Sequence, residues 1–156
     1  MPPRTQPRPP AADGAPDLTR LLSALMRLET ELCGAVESRL RADHGLPLLH
    51  FEFMRVIAST PRCRVQDIAT ELNISVGGTS KIVDRIEAAG HCARRANPDD
   101  RRSSIVELTP AGKRLLARAT GTVEDELRGR LGAALTDRTA VQLTRKLTRL
   151  RDAASG

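Results

Sequence analysis

The chain has 156 residues, of which 40% are apolar but only 1% aromatic, with two Phe and neither Trp nor Tyr. That length makes one ordinary domain, or half of a symmetric dimer, and a core of Leu, Ile, Val and Ala favours helix packed on helix. Net charge is +6, running from −2 over residues 17–54 to +3 over 55–102 and +4 over 103–156. A basic surplus suits a phosphate-rich partner, while the lack of any apolar run near about 18 residues or of a charged-then-apolar leader argues against membrane insertion and secretion and predicts a cytoplasmic protein.

Residues 1–16 hold six of the ten prolines and have no apolar periodicity, which predicts a disordered arm. From Asp17 the pattern turns helical: Leu18, Leu21, Leu22, Leu25, Leu28, Leu32, Val36 and Leu40 recur every three or four residues, with Asp17 as the cap and an end near Gly45. A second helix opens at Pro47 and runs through Phe51, Phe53, Met54, Val56 and Ile57 to Thr60-Pro61. Being apolar on nearly every face, it should be buried on several sides.

Arg62 to Arg64 suggest a short strand, and Val65, Ile68, Ala69 and Leu72 a brief helix. Asn73-Ile74 makes the turn into a further helix that Ser75 caps and Gly90 closes, with Ile82, Val83, Ile86 and Ala89 as its apolar stripe. Two short helices joined so tightly form a helix-turn-helix. His91 to Arg95 and Ser104 to Leu108 read as hairpin strands around the loop Asn97-Pro98-Asp99-Asp100. Thr109 then caps a helix with Pro110 at its first position and Leu115, Ala119, Val123 and Leu127 along it to Gly132. A last helix follows Thr136 through Val141, Leu143, Leu147 and Leu150.

The fold expected is therefore mainly α with a small β-wing, a winged helix-turn-helix dimerised through its N- and C-terminal helices. Its parts are a Pro-rich arm over 1–16, a dimerisation helix over 17–46, a DNA-binding lobe over 47–109 and C-terminal dimerisation helices over 110–153. The end helices are too amphipathic to bury their stripes within one chain.

With Ile82, Val83 and Ile86 inward, Thr79 also faces the core, while Gly77, Gly78, Ser80, Lys81, Asp84 and Arg85 face out. Ser80 and Lys81 suit base contact, Lys81 for guanine acceptors, and Ser75 and Arg85 suit phosphates. Two glycines in a first turn cost about 1 kcal/mol each against Ala, and close approach of the backbone to DNA is the reason expected for them. Arg101 and Arg102 at the hairpin tip suit the narrow minor groove, with Asp99 or Asp100 acting intramolecularly to hold an arginine. Arg94 completes the expected DNA contacts.

Asn97-Pro98-Asp99-Asp100-Arg101-Arg102, followed by apolar residues and Leu108-Thr109-Pro110-Ala111-Gly112, resembles the wing and helix-start motif of the MarR family of transcriptional regulators. Asp100, Arg101, Arg102, Leu108, Thr109 and Gly112 match position by position, as do Ser75, Val83, Asp84, Arg85 and Gly90 in the recognition helix. Asn97 stands where Asp is usual, and Gly77-Gly78 where bulkier polar residues are common. The resemblance runs from about Asp17 to Ala153. It implies a homodimer, a palindromic double-stranded DNA operator, and repression relieved by a small molecule or by cysteine oxidation. It also implies an effector site between the dimerisation helices and the lobe, drawing on Leu25, Leu28, Cys33, His50, Phe51 and Met54.

The three cysteines form no CxxC pair, so neither a disulfide framework nor a zinc site is expected, and no Ser/His/Asp arrangement or phosphate loop points to an enzyme or a cofactor. Cys33 reads as a core thiol. Cys63 and Cys92, with Arg62, Arg64 and Arg94 near in sequence to lower a thiol pKa, or else Cys33, keep a redox-sensing regulator as the alternative.

Overall fold

The computed structural model describes residues 16–154, so the arm expected over 1–16 lies, Pro16 apart, outside the described residues. Helix α1 spans Leu18–His44; the Asp17 side chain accepts from the N–H of Arg20 at 3.0 Å, and Gly45 ends the helix at φ 62°. That left-handed turn suits glycine. Helix α2, Leu48–Ser59, begins directly after Pro47, and the Glu37 carboxylate of α1 accepts the Leu48 N–H at 2.5 Å. An otherwise orphaned helix-terminal donor is thereby satisfied, and the two helices are joined at a fixed angle.

Helix α3 (Val65–Leu72) stops at Asn73, whose φ is 52°, and α4 (Val76–Ala88) starts behind Ser75. Strands β1 (Cys92–Ala96) and β2 (Ser104–Leu108) pair antiparallel, with Cys92 opposite Leu108 and Ala96 opposite Ser104. The strand expected at Arg62–Arg64 is reduced to one bridge, Arg64 to Ile105, with the Val106 N–H donating to the Cys63 carbonyl at 2.7 Å. His91 stays outside β1: Thr109 donates to its carbonyl at 3.1 Å, but its own N–H is spent on the Ile86 carbonyl at 3.0 Å and does not return the bond. Helices α5 (Pro110–Leu131) and α6 (Asp137–Ala154) complete the chain.

The core sits where α2 is enclosed by the other elements. Phe53 and Met54 are fully buried, as are Leu40 from α1, Ile68 from α3, Val83 and Ile86 from α4, Val106 from β2 and Ala119 from α5. Burying each large side chain contributes about 1.5–3 kcal/mol. Gly112 lets α5 start against the wing: a Cβ there would lie 1.9 Å from the His91 carbonyl oxygen. The wing base and the helix behind it are thus locked together at one residue.

The two ends differ. Only Val36 and Leu40 of α1 are buried, and none of α6 is. Leu18, Leu21, Leu22, Leu25 and Met26 of α1 and Val141, Leu143, Leu147 and Leu150 of α6 are exposed. No described helix is long and apolar enough to cross a membrane.

Candidate nucleic-acid interface

Helix α4 carries its buried stripe as Thr79, Val83 and Ile86. On the opposite side Gly77, Lys81, Asp84 and Arg85 are exposed, and Gly78 and Ser80 partly so. The Ser75 hydroxyl caps the helix by accepting from the Gly78 N–H at 3.2 Å, so its oxygen is engaged inside the chain. A Cβ on Gly78 would sit 3.1 Å from that oxygen, whereas a Cβ on Gly77 would meet nothing within 4 Å. Gly78 therefore has a local reason in the cap; Gly77 has none among the described residues.

The arginines around the wing divide into two groups. Arg94 leaves β1 and donates to Asp84 at 2.7 Å and Glu87 at 2.6 Å, while its own N–H donates to Glu87 at 2.8 Å and its guanidinium reaches the Ser80 carbonyl at 3.4 Å. Burial works against this charge, but Asp84 and Glu87 outweigh it and hold the pKa above the ordinary arginine value. Its side chain is 24% exposed. Two carboxylates neutralise Arg94, which suits it to bracing α4 against the wing better than to the direct DNA contact expected from sequence.

Arg95 pairs across the strands with Glu107 at 2.5 Å, and Arg64 with Asp67 at 3.1 Å. Arg62 reaches the wing loop, donating to Asp99 at 2.5 Å and to the Asn97 side-chain oxygen at 3.1 Å. Asn97, only 8% exposed, also accepts from the Asp99 N–H and donates to Ser103 at 2.9 Å. The Asp100 carboxylate accepts the Arg102 N–H at 2.9 Å, which turns the tip. Arg101, Arg102, Lys81 and Arg85 form no ion pair among the described residues, and all four are exposed. On α4 and the wing they are the cations left to meet an external polyanion, two on the helix and two on the wing tip.

Sequence reasoning missed Arg62 and Asn97, whose pairing spans 35 positions and leaves no local periodicity. Arg94 did carry a signal. Asp84 and Glu87 lie three apart on one helix, a spacing that puts both carboxylates on the side a following strand would pass.

The six residues expected to share an effector site are dispersed in the single chain. Phe51 and Met54 are consumed by the core and Leu25 and Leu28 are exposed. Cys33 alone of the six lines a shallow hollow of about 520 Å³ with Glu29, Gly34, Glu37, Leu48, Leu49 and Glu52. Arginine does not lower the wing thiols. Burial, aided by Asp67, pushes Cys63 up to about 11 against the pull of Arg64; burial, aided by Glu87, does the same to Cys92 against Arg94. Cys33 is raised too, by burial and then by Glu29. Thiols so held are poor nucleophiles at neutral pH.

A model described as the MarR family matches residues 44–103, from the end of α1 through the wing loop. Among curated proteins, the uncharacterized HTH-type transcriptional regulator YfiV of Bacillus subtilis (strain 168) is 28% identical over 82 residues, 53% of this chain and 50% of that one. The matched stretch thus spans half the length of that relative. Two solved structures extend the likeness over the whole fold. Sco3205, a MarR family transcriptional regulator from Streptomyces coelicolor in complex with DNA, superposes with a TM-score of 0.77 at 22% identity, covering 96% of this chain and 92% of its own. The transcriptional repressor CouR, bound to a 23-mer DNA duplex, gives 0.76 at 28% identity, covering 86% and 95%. Fold and matches together define a winged helix-turn-helix of the transcriptional-regulator class. Over residues 44–103 the chain matches the MarR family model, and its fold is similar to that of solved regulators of that family.

Proposed function

We propose that the protein is a homodimeric repressor that binds a palindromic operator in double-stranded DNA and is released by a small-molecule effector, acting in the cytoplasm. The observation that carries the DNA reading is the division among the cations. Lys81 and Arg85 on the face of α4 and Arg101 and Arg102 on the wing tip are unpaired among the described residues, while Arg62, Arg64, Arg94 and Arg95 are spent on the scaffold that aims them. A helix in the major groove and an arginine tip in the adjacent minor groove use that arrangement directly.

Pairing of two copies is supported by the uncovered apolar stripes of α1 and α6. Two-fold symmetry then sets half-sites about 34–36 Å apart. Within each unit Lys81 and Ser80 read bases across the gap that Gly77 leaves open, Gly78 permits the cap, Ser75 and Arg85 lie toward phosphates, and Arg94 fixes the angle between reader and wing.

The test is electrophoretic mobility shift on duplexes selected by the full chain from a random pool. Arg101→Ala with Arg102→Ala should weaken binding to all sequences and lower the slope of log affinity against log salt by about 1 for each phosphate no longer neutralised. Arg94→Met should weaken binding with the salt slope unchanged, because that charge is already matched. Lys81→Ala should cost about 1–3 kcal/mol at one base position and little elsewhere. Failure of the full chain to enrich any duplex refutes the reading.

A further inference from the structure

Most of the exposed large apolar side chains belong to the stripes of α1 and α6. Val76 does not. It is the first residue of α4 and 46% exposed, and among the described residues of α3, α4 and the wing it is the one large apolar side chain left so open to solvent. Two turns before Val83, it continues the buried stripe of the helix at the point where that stripe overruns the core. Side chains of a helix lean toward its N-terminus, so Val76 projects at the leading end of the helix. It shares with Val65, Ser80, Arg102 and Ser104 a hollow of about 480 Å³ between α4 and the wing. Its neighbour Gly77 has no side chain to shield it.

Folding gives little reason for valine there. A β-branched residue is a poorer helix former than alanine, and apolar surface left in water contributes nothing to stability. A ligand with an apolar group of its own would supply the reason. In the major groove, adenine, guanine and cytosine offer hydrogen-bonding groups, and thymine alone of the unmodified bases adds an apolar one, the methyl on C5. The leading residues of a reading helix are those that reach base edges. Lys81 lies five residues on, about 140° round the helix, so the two side chains address different base pairs.

We propose that Val76 reads the 5-methyl group of a thymine in each half-site, and that the same contact makes binding responsive to 5-methylation of a cytosine placed there. This deepens the DNA-binding reading and rests on it. The contact is apolar and carries no charge, so it adds preference for a base without adding to the salt dependence that Arg101 and Arg102 set. Because 5-methylcytosine presents the same methyl at the same ring position, Val76 gains from it what it gains from thymine, whatever the neighbouring hydrogen-bonding groups make of the change.

The test uses the full chain and the duplex it selects from a random pool. Each thymine of the half-site is replaced in turn by deoxyuridine, which removes the methyl and leaves every hydrogen-bonding group in place. At one position affinity should fall about fourfold for each half-site altered, the worth of one buried methyl group. Val76→Ala should bind the thymine and deoxyuridine duplexes equally, whereas Lys81→Ala, though weaker, should keep the fourfold difference. Alanine is the better helix former at that position, so lost discrimination is not lost fold. With cytosine in place of the thymine, its 5-methylation should strengthen binding about fourfold in the wild type and not at all in Val76→Ala. A half-site without thymine, indifference to every deoxyuridine, a difference that survives Val76→Ala or disappears in Lys81→Ala, or a cytosine methyl without effect overturns the inference. A chain that enriches no duplex brings down the DNA reading together with it, while a selected duplex indifferent to its methyl groups brings down the role of Val76 alone.

Discussion

The lobe around α2 and the helices at the two ends have sequences of similar amphipathic pattern and very different fates. In the lobe, α2, α3, α4, β2 and α5 each bring an apolar face to a shared centre, and Phe53, Met54, Ile68 and Val83 vanish from solvent. In α6 the same three- and four-residue spacing leaves Val141, Leu147 and Leu150 uncovered, with no residue buried in 18. Periodicity states that a face wants cover. It does not state whether the cover comes from the same chain, which depends on how many partners the topology brings within reach.

The sharpest way to break the comparison is at its centre. Phe53→Ala empties a fully buried ring position and should cost about 4 kcal/mol in chemical denaturation, with the loss independent of protein concentration. Leu147→Asp on α6, 41% exposed in the single chain, should behave oppositely. Sedimentation should show self-association weakened by at least tenfold, about 1.4 kcal/mol, while the lobe measured at high dilution keeps its stability. A variant that stays dimeric, or that loses lobe stability when dilute, would erase the distinction.

A smaller effect lies at the seam between the two regions. The Leu48 N–H, followed by Arg41 and against partial burial, holds the Glu37 carboxyl below its ordinary range. A carboxyl with a depressed folded pKa stabilises fully above the unfolded value of about 4.3 and loses that contribution as pH falls through the lower folded value. Glu37→Gln should therefore cost about 1 kcal/mol at neutral pH and flatten the acid limb of the stability curve below about pH 4. An unchanged acid limb in thermal melts counts against it. The least change is expected from Thr79→Val. The Thr79 hydroxyl is fully buried without a hydrogen-bond partner among the described residues, and replacing it by a methyl of the same shape should raise stability by up to about 1 kcal/mol. A destabilised variant would mean that the hydroxyl has a partner.

Much of the fold was legible because its boundaries are set locally. Asp17, Ser75 and Thr109 each accept the N–H three residues on, and Gly45 and Gly90 take positive φ where the helices stop. A cap or a left-handed turn depends on a few adjacent residues, so a single sequence reveals it. The site was legible to the extent that it follows helical phase: Thr79 is buried and Lys81 exposed, as the stripe of Val83 and Ile86 requires. Illegible was which arginine is already spent. Arg94, Arg95, Arg101 and Arg102 look alike in a string, and only the tertiary meeting with Asp84, Glu87 and Glu107 separates them. The hollow beside Val76 was hidden for the same reason, since its walls come from α3, α4 and the wing.

The unoccupied space over Gly77 leaves this position without a structural veto. Side chains could be exchanged there at no expense to folding, and alanine would even favour the helix. Operator preference could then drift among descendants of this chain through a single codon, free of the compensating changes that a packed residue would demand.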